Sequence, residues 1–397
     1  MMKKSAIEEI QALRGVAFLG VALQHVLGVF IHRPDLAKGD AVAYAALFIL
    51  AKLAVPAFVF ITGMVVFYNY YDQLDYPRFL RRRIGEILLP YLAWTVFYSF
   101  YAGPPPESAV AWARDLARNL LTGEGSYHLW FVVMIFQFYL FYPLFRWGFR
   151  SIGEGAARSG FGFFALMGLL GMGYLALTWL SYSVIPNVGE PLALSKAWQF
   201  FSDYRDRTFL FWFFYFILGG AAGLAVSRWR QWTTKVLWWN GALFAVLFIW
   251  VTRQLVAGIT AGPAGVVVDV NIATSLRPSV FLYSVSVIVL AYGLAVRLRL
   301  SENPLNRFLH LLGRHSYGLY LAHALTLDLS ARVIRPYLHN MTPTLAMTLT
   351  FIGCVAGALA LTVLIGRMPK GEWLVGASPR RKVSADPVRT AGTSTSA

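Results

Sequence analysis

Residues 12–31 read ALRGVAFLGVALQHVLGVFI. A helix crossing the ~30 Å hydrocarbon layer needs about that many apolar residues, and only Arg14 and His25 interrupt this run with ionisable groups. Comparable runs follow at 41–69, 84–103, 128–146, 160–185, 208–227, 234–252, 279–296, 311–330 and 345–366. They predict an all-α polytopic membrane protein of about ten transmembrane helices. Lipid offers no partner to open backbone groups, so each span must be helical. The runs are continuous rather than alternating, which excludes a β-barrel.

Composition agrees. Of 397 residues, 57% are apolar and 14% charged, against about 25% charged in soluble domains. The net charge of +16 falls in short clusters between apolar runs. That placement excludes a nucleic-acid partner, which would want one basic face, and makes the bilayer the partner instead. With the N-terminus inside, the inner loops and tail hold 21 Lys and Arg, the outer segments 11, and the spans three, Arg14, Lys52 and Arg314. This bias predicts an N-in, C-in topology and a multi-pass protein of the plasma membrane. Met1–Lys4 and the run behind it resemble a secretory signal, but Glu8, Glu9 and Arg14 break the pattern, so the first span is expected to be retained. Residues 1–370 read as the transmembrane domain. Residues 371–397, rich in Ser, Thr, Ala and Arg, read as a disordered cytoplasmic tail. The single cysteine, Cys354, rules out an internal disulfide.

Ionisable groups within a membrane are costly and are candidates for function. Arg14 and His25 are eleven residues apart, which puts them on one helix face about 16 Å apart along the axis. A long ligand entering from the cytoplasm could meet both. The same residues also fit a headgroup anchor and a hydrogen-bonded interior histidine. Ser316 and His323, with Tyr320 between them, form a polar stripe on an otherwise apolar helix. It serves a substrate site or interhelical bonding. Lys52 reads as a paired or snorkelling lysine. His128 and Trp130 fall at the expected outer interface. There is no Gly-rich phosphate loop, no His-Glu-x-x-His and no Gly-x-Ser-x-Gly, so neither a metal site nor a serine nucleophile is expected.

Ala12-Leu13-Arg14-Gly15-Val16-Ala17, with ten residues between Arg14 and His25, resembles the opening motif of acyltransferase family three. The likeness continues through Val55–Gly63 (with Thr62 where Ser is usual), Phe79–Arg83 followed by Pro90-Tyr91, His128–Phe131, and Gly313–His323. It departs at Gln11-Ala12, where Asp-Gly is frequent, and at Glu86, where a second arginine is frequent. The resemblance implies a membrane acyltransferase with acyl-CoA, commonly acetyl-CoA, as cytoplasmic co-substrate and a hydroxyl of a cell-surface or exported glycan as acceptor. Arg14 and the cluster Arg78, Arg81, Arg82 and Arg83 would then meet the donor's phosphates. His25 would act as general base or as acyl carrier. The rival class is a transporter or polysaccharide exporter using the buried Arg and His as a path.

Overall fold

The computed structural model describes residues 5–33, 35–101, 108–157, 160–189, 195–262, 265–299, 301 and 303–376. Its helices are, in order, α1 (Glu9–Phe30), α2 (Lys38–Ala51), α3 (Ala54–Tyr70), α4 (Tyr76–Arg83), α5 (Leu89–Tyr101), α6 (Ala109–Thr122), α7 (Trp130–Leu140), α8 (Tyr142–Gly148) and α9 (Glu154–Ala157). Then come α10 (Gly160–Trp179), α11 (Lys196–Tyr204), α12 (Phe213–Leu224), α13 (Val226–Lys235), α14 (Leu237–Ala257), α15 (Pro278–Leu298), α16 (Pro304–Ile334), α17 (Pro343–Arg367) and α18 (Glu372–Val375). Among the described residues, strand pairing is confined to a hairpin of Ile259–Gly262 with Gly265–Val268, in register Ile259 to Val268.

The chain is an all-α multi-pass membrane protein. Among the described residues, six helical stretches, α2 with α3 counted as one, are long and apolar enough to cross a bilayer, or seven if the pair Trp130–Leu140 and Tyr142–Gly153, bent by 53°, is one span. The remaining expected spans are helical but fall short of that test. α12 has 12 residues, too few for ~30 Å at 1.5 Å each. α5 is short and follows the basic α4 through a π-helical turn, Ile84–Leu88. α16 has the length, 31 residues, but carries Arg307, Arg314, His315, Asp328 and Arg332.

The expected second span is present as Lys38–Tyr70, with a short break inside it. α2 ends at Ala51 and α3 starts at Ala54, and Lys52 sits in the break. Lys52 is 8% exposed with Nζ 4.6 Å from the Phe48 ring centre. Among the described residues no carboxylate pairs with it. The snorkelling or ion-paired lysine is thus replaced by one buried over an aromatic face.

Two helix pairs are drawn together through glycines, which let backbones approach where lipid gives no hydrophobic drive between helices. α3 lies on α12, and a Cβ on Gly63 would stand 2.1 Å from the Phe216 carbonyl oxygen, one on Gly219 1.9 Å from that of Phe60. α1 lies on α16, where a Cβ on Gly15 would stand 2.3 Å from the Leu309 carbonyl oxygen and one on Gly313 1.9 Å from that of Gln11. At the base of α1, Glu9 is fully buried and takes both nitrogens of the Arg230 fork, at 2.7 and 2.9 Å, and the Tyr292 hydroxyl at 2.5 Å.

Of the segment expected as a tail, 371–397, the first residues are ordered. Glu372–Val375 forms a helical turn, and Trp94 Nε1 donates to the Leu374 carbonyl at 2.8 Å. Residues 377–397 of that expected segment lie outside the described residues.

Candidate active site

Asp75 caps α4 by accepting from the Arg78 amide at 3.2 Å. The arginines that follow point to different places. Arg82 and Arg83 line a cavity of about 810 Å³, within the usual range of small-molecule sites. Arg78, whose side chain is 87% exposed, pairs with Asp75 at 3.4 Å, and Arg81 is exposed; neither reaches the cavity. Arg83 is held among the rings of Tyr70, Phe79 and Tyr139, at 5.6, 5.4 and 5.3 Å from its guanidinium carbon. Glu86 binds both cavity arginines, Arg82 at 2.8 Å and Arg83 at 3.1 Å. The acid at the position where an arginine is frequent thus braces the pair that remains.

Arg14 lines the same cavity from α1, as do Ser316 and Tyr320 from α16. So do two arginines given no role from the sequence, Arg314 and Arg367. The signal for Arg314 was present, since Gly313-Arg314 mirrors Arg14-Gly15. Each glycine sits on the other helix's backbone, and further along both helices His25 stacks on His323, so α1 and α16 run parallel, with an arginine from each lining the cavity. Arg367 is the last residue of an apolar helix, where a cation suits both the helix terminus and the edge of the bilayer. Five guanidinium groups against Glu86 and Glu372 make this wall strongly cationic.

Tyr320 closes the inner end. It is 5% exposed, its ring packs 5.6 Å from Phe131, and its hydroxyl donates to the His128 backbone carbonyl. Behind it stand three histidines. His323 lies 5.7 Å from the Tyr320 ring, 4.6 Å from His128 and 5.3 Å from His25, the last stacked with 29° between the ring planes. His25 is partly buried and also touches Tyr127, at 4.7 Å, a residue 54% exposed. The stripes along α1 (Arg14 to His25) and α16 (Ser316 to His323) therefore run side by side from the cationic cavity to the imidazoles.

His128, expected at the outer interface, is buried within the protein, 2% exposed. The turn before it folds inward, because Gly123 at φ +75° lets the chain pass against Trp130, whose Cα would lie 2.4 Å from a Cβ there. Trp130 packs on Trp212 at 5.9 Å and reaches neither cavity nor histidines. Among the described residues, no three His, Cys, Asp or Glu side chains are placed to hold a metal ion.

The bundle of membrane helices thus holds an arginine-walled cavity that leads to three clustered imidazoles. The comparisons with known proteins specify the class: the chain belongs to the acyltransferase-domain family, whose pattern matches residues 7–366. It is an acyltransferase. It is similar to the "Putative membrane-bound acyltransferase YfiQ" of Bacillus subtilis (strain 168), with 22% identity over 375 residues, covering 93% of this chain and 94% of that one. It is also similar to the "Probable poly-beta-1,6-N-acetyl-D-glucosamine export protein" of Staphylococcus aureus (strain MSSA476), with 21% identity over 354 residues, covering 88% and 91%. No solved structure matches the chain.

Proposed function

We propose that this acyltransferase moves an acyl group, acetyl in the first instance, from acyl-CoA to a hydroxyl of a cell-surface or exported glycan, in the plasma membrane. One observation carries the reading: the cavity walled by Arg14, Arg82, Arg83, Arg314 and Arg367 ends at Tyr320, directly in front of the imidazole cluster. Guanidinium forks suit the phosphates of coenzyme A. The pantetheine arm would then follow the Arg14–His25 face, and transfer would occur at His25. The glycan acceptor is favoured by the relative whose name specifies poly-N-acetylglucosamine.

That relative is named for export, so the rival reading is a transporter. Purified protein supplied with labelled acetyl-CoA and surface glycan from a deletion strain separates the two. Label appearing in the glycan supports transfer, and its absence at full folding sinks it.

The donor reading also sorts the arginines. Arg82→Ala or Arg314→Ala should raise the donor KM by about tenfold, a loss near 1.4 kcal/mol. The fall in kcat should be smaller, because phosphate pairing persists from ground state to transition state. Arg78→Ala and Arg81→Ala should leave donor KM unchanged. An unchanged donor KM in Arg82→Ala, with normal membrane insertion, would reduce the cluster to a topology signal.

The ten-span, N-in and C-in arrangement belongs to the same proposal. It is supported by the parallel run of α1 and α16, which requires an odd number of crossings between them, as spans two to eight provide. A reporter active only outside the cell should be silent when fused after Lys370 and active when inserted near Asp269. Activity at both positions contradicts the arrangement.

A further inference from the structure

The site holds more imidazoles than a single base requires. His323 is completely buried, and its Nδ1 lies 2.6 Å from the Tyr320 carbonyl oxygen. A carbonyl only accepts, so Nδ1 carries the proton and Nε2 presents a bare lone pair. No protein donor among the described residues reaches that Nε2. Leaving a buried acceptor unpaired is costly, so its partner should be a donor that arrives with substrate. His25 cannot be that partner. The two rings are stacked, at 29°, whereas an N–H···N bond needs an edge-on approach, and His25 makes no hydrogen bond to the protein among the described residues.

We propose that His25 and His323 divide the transfer, with His25 carrying the acyl group and His323 taking the acceptor's proton. This rests on the acyl-CoA reading above. In the first half, the free ring nitrogen of His25 attacks the thioester carbonyl. A C–N bond forms, the C–S bond breaks, and the proton on the other His25 nitrogen goes to the departing thiolate. In the second half, the acceptor oxygen attacks the acyl carbon while its proton passes to His323 Nε2. A C–O bond forms and the C–N bond breaks, leaving His25 short of one proton. The stacked rings cannot pass it directly, so the proton returns from His323 to His25 through solvent water, and both imidazoles end neutral, with an ester and a free thiol as products. Two stacked rings suit this division, because a group carried on one lies beside the free lone pair of the other.

The test uses full-length protein in lipid nanodiscs, with labelled acetyl-CoA alone and then with glycan from the deletion strain as acceptor. Wild type and His323→Gln should both release about one equivalent of thiol in a rapid phase and retain protein-bound acetyl. His323→Gln should then transfer to glycan at least ~100-fold more slowly, with donor KM unchanged. His25→Gln should give no rapid phase. Loss of the rapid phase in His323→Gln at unchanged melting temperature overturns the proposal, as does retention of more than a tenth of turnover. Glycan acetylation by wild type without a rapid phase also overturns it, while leaving the acyl-CoA reading intact. Absence of both activities in wild type overturns that reading as well. His323→Asn replaces the Gln variant if the latter does not fold.

Discussion

Turnover falls by at least ~10²-fold when His25 is replaced by Gln, and by no less when it is replaced by Ala, with membrane levels matched. An imidazole that takes up a proton or carries the acyl group has no substitute in an amide, which does neither near neutral pH. A histidine that only braced helices would behave differently. His25→Ala would then lower yield, and His25→Gln, still able to hydrogen-bond, would restore activity. Donor binding should survive in both variants, since the arginines of the cavity stand well apart from His25, nearest in sequence at eleven residues along α1. If the Gln variant keeps more than about a tenth of wild-type turnover, a loss under ~1.4 kcal/mol, His25 is scaffolding.

Arg230→Met should destabilise the protein by about 3–5 kcal/mol, the usual loss when one partner of a buried ion pair is removed. Its partner Glu9 has no solvent exposure and would keep only the Tyr292 hydroxyl. Arg230 itself is 27% exposed and could turn to water, so Glu9→Leu should cost less than Arg230→Met. The double variant should recover much of the stability, because well-packed apolar groups can replace a buried pair. Thermal unfolding in detergent measures all three. A single Arg230→Met variant within about 1 kcal/mol of wild type would show that the pair contributes little.

Much of this architecture could be read along the chain. The apolar runs located most of the helices, because a bilayer punishes charge within a span and leaves long unbroken stretches behind. The break between α2 and α3 was hidden for the same reason. Leu53, which precedes α3, is nearly helical at φ −61°, ψ −24°, and no Ser, Asp or Asn cap marks the spot. Within the site, helical spacing put Arg14 and His25 on one face, and Ser316, Tyr320 and His323 on another. That the two faces meet is a fact about packing. Its trace in sequence is small: one glycine beside each arginine, at Gly15 and Gly313. The inward placement of His128 depends on a left-handed turn at Gly123, a local geometry that an interfacial Trp two residues after the histidine masked. Arg78 and Arg81 looked equivalent to Arg82 and Arg83 because a basic cluster has no direction until the helix carrying it is fixed.

The Glu9–Arg230 pair also bears on how the protein is made. The two residues are 221 positions apart, and ribosomes add about 5–20 residues each second. The carboxylate of Glu9 therefore waits roughly 10–45 s at that rate before its guanidinium partner exists, and longer before Tyr292 follows. Until then the first helix cannot take its final seat without burying an unpaired acid. Nascent chains that stop short of Arg230 never form the pair, so the first helix gains its buried anchor only after more than half of the protein has been made.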